Sequence, residues 1–589
     1  MKNIIRLFMF LLLFTACDDL FEPAIENNRD LDAMYGEPDY AQGIIANAYI
    51  LLPYNTSPTS DVATDDAVSN DNTNTWRSMA TGSWTAQNDP TSQWKNCFNA
   101  IQYLNMFLER VDRVEWSSVE NVQTLFVDRF KGEAYGLRAI YMYYLLRAHG
   151  GWSADGQLLG VPIKTVSEDA SSDFSLPRDT YADCMQQILD DCAMAIDLLP
   201  LDYKSHADSE IPQKYIAMGV TATQYDRVNG SFMAGRLSGR IVEAVRAQAT
   251  LMAASPAFNE ASSVSWENAA NYAATVLDRI GGVSGLDADG YTWYTNTTEI
   301  ASLSGGAVPA EIIWRGDIDE TNTLESDNYP PSLYGNGRIN PTQNLVDAFP
   351  MANGYPITDT NSGYDAANPY ADRDPRLGTY ILYNGGVQGP NNTEIITGSY
   401  GTNNDALNRE SGYSTRTGYY LRKLLRSDCN PNPVYNTEQK HYTARIRYTE
   451  IFLSYAEAAN EAWGPQGKGN HAYSAYEVIK AIRARAGVGA DNGDAYLESI
   501  KNDQARMREL IRNERRLELC FENIRFYDLR RWESNLTESA KGVNITQSNN
   551  VQQYTPIEVE ERAYQPFMNY GPIPYDQVLN FGFVQNQGW

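Results

Sequence analysis

MRELIRNERRLELCFENIRFYDLRRW, residues 507–532, is the densest run of pattern in the chain. Met507, Leu510, Ile511, Leu517, Phe521 and Ile524 recur at helical spacing and mark one apolar stripe. Glu514 and Glu518 lie on or beside that stripe, with Arg512, Arg515, Arg516 and Arg525 close by. A charge on a buried edge has to be paired, because an ion removed from water without a partner is strongly disfavoured. The stretch therefore predicts a long helix locked into the fold by an internal network of arginines and carboxylates, structural rather than catalytic.

Working outward, helical periodicity also fills 446–463 and 471–487, separated by the breaker GPQGKGN. That is an antiparallel helix pair of the size used in tetratricopeptide repeats, and Ala456, Ala458, Ala459 and Ala475 permit the close packing such pairs need. Further helices are predicted near 40–52, 91–112, 118–149, 179–199, 236–254 and 265–280. In 118–149 the residues Leu125, Phe126, Phe130, Ala134, Leu137, Ile140, Tyr141 and Tyr144 share one face, and Gly150 and Gly151 supply a stop. From about 281 to 445 the texture changes to clusters of Pro, Gly, Asn and Asp, interrupted by short strand-like runs such as Glu311 to Trp314. This reads as a loop-rich insertion on a helical frame, and loops carried by a rigid scaffold are where binding sites tend to lie.

At the start, Lys2 and Arg6 precede an apolar run from Leu7 to Phe14, too short to span about 30 Å of hydrocarbon and characteristic of an export signal. Cys17 stands where that run ends, before Asp18 and Asp19. Phe14, Thr15, Ala16 and Cys17 resemble a bacterial lipobox with Phe14 in the usual leucine position; the alternative is a soluble secreted chain cut near Ala16. The other cysteines, Cys97, Cys184, Cys192, Cys429 and Cys520, are odd in number and too few for a disulfide scaffold, so buried free thiols are expected. A net charge of −27, from 47 basic and 74 acidic residues, argues against nucleic acid as a partner.

NERRLELCFENIRFYDLRRW also resembles the best-known signature of the SusD-like (RagB/SusD) nutrient-binding lipoproteins of Bacteroidetes outer membranes. The likeness extends through GEAYGLRAIYMYYLLRAHGG, YADCMQQILDDCAMAIDLLP, AGRLSGRIVEAVRAQATLMAASPAFN, INPTQNLVDAFPMANG, NPYADRDPRL, TGYYLRKLL, IRYTEIFLSYAEAANEA and PIPYDQVLNFGFVQNQGW, in family order from about residue 40 to Trp589. The resemblance implies a mainly α fold: about four tetratricopeptide-like pairs in a right-handed superhelical frame, capped by the loop-rich region that holds the ligand. It divides the chain into a signal peptide (1–16), a lipidated tether (17–35), an N-terminal helical part (36–280), the loop-rich insertion (281–445) and a C-terminal helical part (446–589), the last three forming one unit. It implies acylation at Cys17, an extracellular-facing outer-membrane location with Asp18 and Asp19 as part of a surface-export address, a TonB-dependent SusC-like transporter as partner, and an oligosaccharide as cargo. Some relatives serve peptide importers, so a peptide or glycopeptide receptor of the same fold is the alternative.

Sugars present C–H faces that stack on aromatic rings and hydroxyls that need Asp, Asn or Arg partners. Two loop segments offer that combination: Asp65, Asn72, Trp76, Arg77 and Trp84 in one, Tyr291, Trp293, Tyr294 and Asn296 in the other. Tyr54 and Tyr334 are weaker candidates, each beside turn residues that need a ring to pack on. Asp287 and Asp289 before Gly290 do not complete a calcium-loop pattern, and no metal or cofactor is expected. A secreted glycoside hydrolase is the remote alternative; no zinc-protease, serine-hydrolase or Cys/His motif surrounds the four histidines.

Overall fold

The computed structural model describes residues 31–55 and 57–589; Cys17 and the signal segment lie outside them. Eight helices build the frame: α1 (Pro38–Ile50), α2 (Trp94–Leu108), α3 (Glu120–His149), α4 (Tyr181–Leu198), α5 (Gly239–Ala254), α6 (Trp266–Asp278), α7 (Tyr448–Trp463) and α8 (Ala475–Arg485). They pack as four successive pairs, α1 with α2, α3 with α4, α5 with α6 and α7 with α8, and each pair leans on the next through α2–α3, α4–α5 and α6–α7. The mainly α, tetratricopeptide-like frame expected from the sequence is therefore present.

Local chemistry sets the helix ends. Thr180, Ser265 and Ser474 accept the backbone N–H three residues on, and Asn268 and Glu477 return the bond in capping boxes. Glycine sets how near the helices come: a Cβ at Gly136 of α3 would lie 2.5 Å from Leu237 Cδ2 and 2.9 Å from Val242 Cγ2. One continuous apolar core runs through all four pairs, from Ile45 through Leu137 and Val245 to Ile479.

Between α6 and α7 the long strands are β1 (Ile312–Thr321) and β2 (Gln439–Arg447), antiparallel to one another, with β2 running directly into α7. A second core of Trp293, Tyr294, Tyr329, Leu345, Phe349, Tyr380 and Phe521 sits beneath the loops. A C-terminal hairpin of β3 (Ala540–Ser548) and β4 (Val551–Glu560) turns at Asn549 and Asn550, both at positive φ (49° and 62°). The sequence pattern predicts only helix after 446, and the hairpin departs from it. The hairpin's faces carry too few apolar residues for strict alternation to stand out.

The opening stretch is two helices rather than one long helix. α9 (Gln504–Glu518) stops, the chain turns through Leu519–Ile524, and α10 (Arg525–Arg531) resumes. Phe521 and Asn523 adopt φ of 62° and 60°, a conformation disfavoured for residues with a Cβ. The Asp61 carboxylate holds them there by accepting from Phe521 N (2.9 Å) and Asn523 N (3.1 Å). Asn523 in turn accepts from Ser60 N (3.0 Å) and donates to Ser57 O (2.9 Å), fastening the turn to the 57–61 loop.

The ionic network around this stretch is buried and draws its partners from far along the chain. Glu514 is bonded by Arg376 (2.9 Å) and Arg483 (2.8 Å), and Glu518 by Arg376 (3.0 Å) and Arg485 (3.1 Å). Arg376, fully buried, is also gripped by Asp374 at 2.6 Å, so the DPR of NPYADRDPRL clamps the loops onto α9. Arg447 at the end of β2 joins Glu311 (2.8 Å) to Glu522 (2.7 Å). Arg515 and Arg531 share Asp528, at 2.9 and 2.8 Å, and Arg531 also binds Glu457 of α7 at 2.6 Å. Arg512 instead lies over the Trp532 ring, 4.9 Å from its centroid. The five described cysteines are free and buried, as expected.

Candidate functional site

The break between α9 and α10 faces a cleft of about 390 Å³ where the loops meet the frame. The frame contributes Tyr143, Tyr144 and Arg147 from the last turns of α3, Gln248 and Met252 from α5, and Glu450 and Ser454 from α7. Facing them are Tyr54 and Asn55, Thr443 to Arg445 of β2, and Asn523, Ile524 and Tyr527 of the turn and α10.

One wall alternates rings and guanidinium groups. Arg147 lies 3.9 Å from the Tyr527 centroid and 4.1 Å from that of Tyr144. Tyr144 meets Tyr54 edge-on at 5.5 Å, and Tyr54 meets Trp314 at 5.4 Å. Arg445 closes the row, 5.8 Å from the Tyr54 centroid and 4.7 Å from Trp314. The arrangement follows from helix geometry: Tyr143, Tyr144 and Arg147 fall within four residues, so their side chains emerge from one flank of α3. Burial raises the Tyr54 and Tyr144 phenols above their ordinary range, so both stay neutral, polar-tipped rings.

The cleft's carboxylates are held by protein groups. Glu522 is bonded by Arg447 and Lys423, which outweigh burial and keep it below the usual carboxylate range. Asp528 behaves alike between Arg515 and Arg531. Burial raises Glu450, whose carboxylate accepts from Gln248 Nε2 at 2.7 Å.

The nine ligand candidates read from the sequence are not gathered on one face. Trp76 lines the cleft half-buried, its ring edge-on to Phe526 at 5.3 Å. Trp84 also lines it but is only 4% exposed, enclosed by Phe526, Tyr564 and Trp589, with Nε1 donating to Asp89 at 2.9 Å. Asp65 is buried between Arg516 (2.9 Å) and Arg525 (2.7 Å); burial opposes its charge, but the two arginines prevail and hold it below the usual carboxylate range. Arg77 is pinned to Glu560 at 2.9 Å, and Asn72 is exposed beyond the cleft lining.

In the second segment, Trp293 and Tyr294 are each 5% exposed and line a smaller cavity of about 60 Å³. That cavity shares Asn55, Thr443, Ala444, Glu522 and Asn523 with the cleft, so the two adjoin. Tyr291 packs on the loop core, its carbonyl accepting from Tyr380 Oη at 2.9 Å. Asn296 caps a short helix by accepting from Glu299 N at 3.2 Å. Tyr334 is 56% exposed and lies outside the cleft.

Tyr54, a weaker candidate in the sequence, is central to the wall. The sequence pattern does not single out Tyr143, Arg147, Arg445 or Tyr527. Periodicity places Tyr144 on the core stripe of α3, and only the end-of-helix pairing of aromatics with Arg147 points to another role. One set of side chains has metal-ligand chemistry: Glu325, Cys429 and His441 place ligand atoms within 4.8 Å of one another, a donor set suited to zinc. Glu325 Oε1 already bonds Arg426 N (2.7 Å) and His441 Nε2 (3.1 Å). At the sequence's weak calcium candidate, Arg485 donates to the Asp287 carbonyl at 3.2 Å.

The fold and cleft together define a helical-repeat scaffold presenting a loop-built site. Residues 310–589 match the SusD family, and residues 34–225 match the family described as starch-binding, associating with outer membrane. The chain belongs to the SusD-like family. Among curated proteins it is similar to SusD-like protein P25 of Formosa agariphila, 29% identical over 238 residues, a match spanning 38% of this chain and 40% of that protein. Among solved structures, a SusD-like protein of Bacteroides fragilis superposes with a TM-score of 0.70 at 20% identity, covering 96% of this chain and 100% of that one. A SusD-like carbohydrate-binding protein of the same organism gives 0.64 at 20% identity, covering 93% and 99%.

Proposed function

We propose that the protein is a cell-surface glycan-binding lipoprotein that captures an oligosaccharide in the cleft and delivers it to a TonB-dependent SusC-like transporter. The observation that carries this reading is a wall of part-exposed rings, Tyr54 and Tyr527 with Trp76 at the rim, set among Arg147 and Arg445 and backed by the buried Tyr144, in a cavity of about 390 Å³. Rings stack on the C–H faces of a sugar and guanidinium groups bond its oxygens. The volume is in the range of small-molecule sites. Carbohydrate binding is also the property named for one of the structural neighbours.

The protein acts by binding rather than by chemistry. The three carboxylates lining the cleft, Glu450, Glu522 and Asp528, are each engaged by protein donors, which favours binding over glycoside cleavage at this site. His149 is buried and driven down to about 4 by that burial, its ring nitrogens bonded to Gln93 N and Pro572 O. Anchoring would be by acylation at Cys17, a reading supported by the lipobox-like run Phe14, Thr15, Ala16 and Cys17.

The test is a glycan array followed by calorimetry on the best ligand. Tyr54→Ala and Trp76→Ala should each weaken binding by about 1 kcal/mol or more. Unchanged affinity in both variants, or binding of peptides and no glycan, overturns the proposal. Cys17→Ala should release the protein from the membrane fraction; retention there refutes the anchor.

A further inference from the structure

Resting on the reading of the cleft as a glycan site, we infer that its cargo is an acidic saccharide, carrying sulfate esters or carboxylates that pair with Arg147 and Arg445. The argument begins with charge. The chain carries 74 acidic against 47 basic residues, so an arginine without an acidic neighbour is unexpected. The six arginines lining the cleft divide into two groups. Arg447, Arg515 and Arg531 are each bonded to carboxylates at 2.6–2.9 Å.

Arg147, Arg445 and Arg530 have no carboxylate within 4.0 Å among the described residues. The acidic groups that influence the latter two, Asp317 for Arg445 and Asp89 for Arg530, stand beyond that distance, and Asp89 already accepts from Trp84 and Thr91. Arg530 is only 5% exposed and is enclosed by the rings of Phe526 (3.4 Å), Tyr564 (4.8 Å) and Trp84 (5.2 Å), so it is met by aromatic faces and the inference rests on Arg147 and Arg445. Burial lowers the pKa of Arg445 and Arg530.

Spacing supports the same ligand class. Arg147 and Arg445 flank the Tyr144–Tyr54 pair, so a ring stacked on the part-exposed Tyr54 has a guanidinium on either side. A planar guanidinium offers two parallel N–H donors to a carboxylate or sulfate, a geometry that a neutral hydroxyl cannot use in full. In a protein whose overall field repels anions, two part-exposed arginines without a carboxylate partner in one cavity select for an anionic cargo.

The experiment is calorimetry with matched probes: hexagalacturonate against its methyl ester, κ-carrageenan hexasaccharide against its desulfated form, and neutral malto- and laminari-hexaose. One acidic probe should bind at least about tenfold tighter than its uncharged counterpart and weaken as NaCl rises. The arm that binds tells carboxylate from sulfate. Arg147→Gln and Arg445→Gln should each cost about tenfold or more on that probe with an unchanged melting temperature, both side chains being only partly buried. If neutral probes bind as well as charged ones, or the arginine variants bind like wild type, the inference falls. Neutral binding that is lost in Trp76→Ala leaves the glycan reading standing without this inference; no binding to any probe removes both.

Discussion

Replacing Glu518 by glutamine removes one negative charge from the buried network and preserves shape. Glu518 is fully buried and faces Arg376 at 3.0 Å, Arg485 at 3.1 Å and Arg447 at 3.8 Å. Burial alone would raise its pKa, but Arg485, Arg376 and Arg447 bring it from 4.5 down to about 2. That difference corresponds to about 3 kcal/mol of stability at neutral pH. The value agrees with the roughly 3–5 kcal/mol lost when one partner of a buried pair is removed. After the substitution Arg376 keeps Asp374 and Glu514, whereas Arg485 keeps only Glu311 at 3.8 Å among the described carboxylates. Glu518→Gln should therefore cost about 3 kcal/mol at pH 7, read from urea unfolding by tryptophan fluorescence. Because the folded pKa is depressed, this stability is present above pH 4.5 and is lost as pH falls toward 2. At pH 3.5 the gap between wild type and variant should shrink by about 1 kcal/mol. A cost below about 1 kcal/mol at pH 7, or the same cost at both pH values, refutes the account of the network.

Asp61 carries the opposite sign. Burial, with Asp66 adding to it, pushes Asp61 up to about 7, so the stability it lends is full below about 3.8 and is lost as pH rises through 7. Asp61→Asn should flatten the pH dependence of the melting temperature between about 5 and 8; an unchanged slope counts against the assignment. Gly136→Ala forces a methyl against Leu237 and Val242 and should cost about 1–3 kcal/mol in denaturant titration, a neutral result showing that α3 and α5 have room to part. Asn523→Ala removes the bonds to Ser60 N and Ser57 O and leaves an alanine at φ 60°, so it should cost about 2 kcal/mol and weaken glycan binding by loosening Tyr54 and Asn55. Intact affinity in that variant would show that the 57–61 loop does not depend on this clamp.

The helical frame was legible because its information is local. Periods of three to four apolar residues, capping serines and threonines, and stops such as Gly150 lie within a turn or two of the residues they govern, and all eight frame helices fall within a few residues of their expected bounds. The same locality explains the error in the 507–532 stretch. Its period continues unbroken, and the turn at Phe521 and Asn523 is imposed by Asp61, more than 450 residues earlier.

The requirement that Glu514 and Glu518 find cations was also readable from the stripe they interrupt, but their partners Arg376, Arg483 and Arg485 were not. Nothing in a one-dimensional pattern distinguishes an aspartate such as Asp65, spent on Arg516 and Arg525, from one free to bind a hydroxyl. Nor does it separate Trp293, sealed at 5% exposure, from Trp76 at the rim of the cleft. By itself the sequence determined the helix pairs, the loop-rich segment, the burial of its thiols and the family likeness. The tertiary structure alone decided which rings and arginines share a cavity, because that depends on where helix ends and distant loops converge, and on which charges are already neutralised when they arrive.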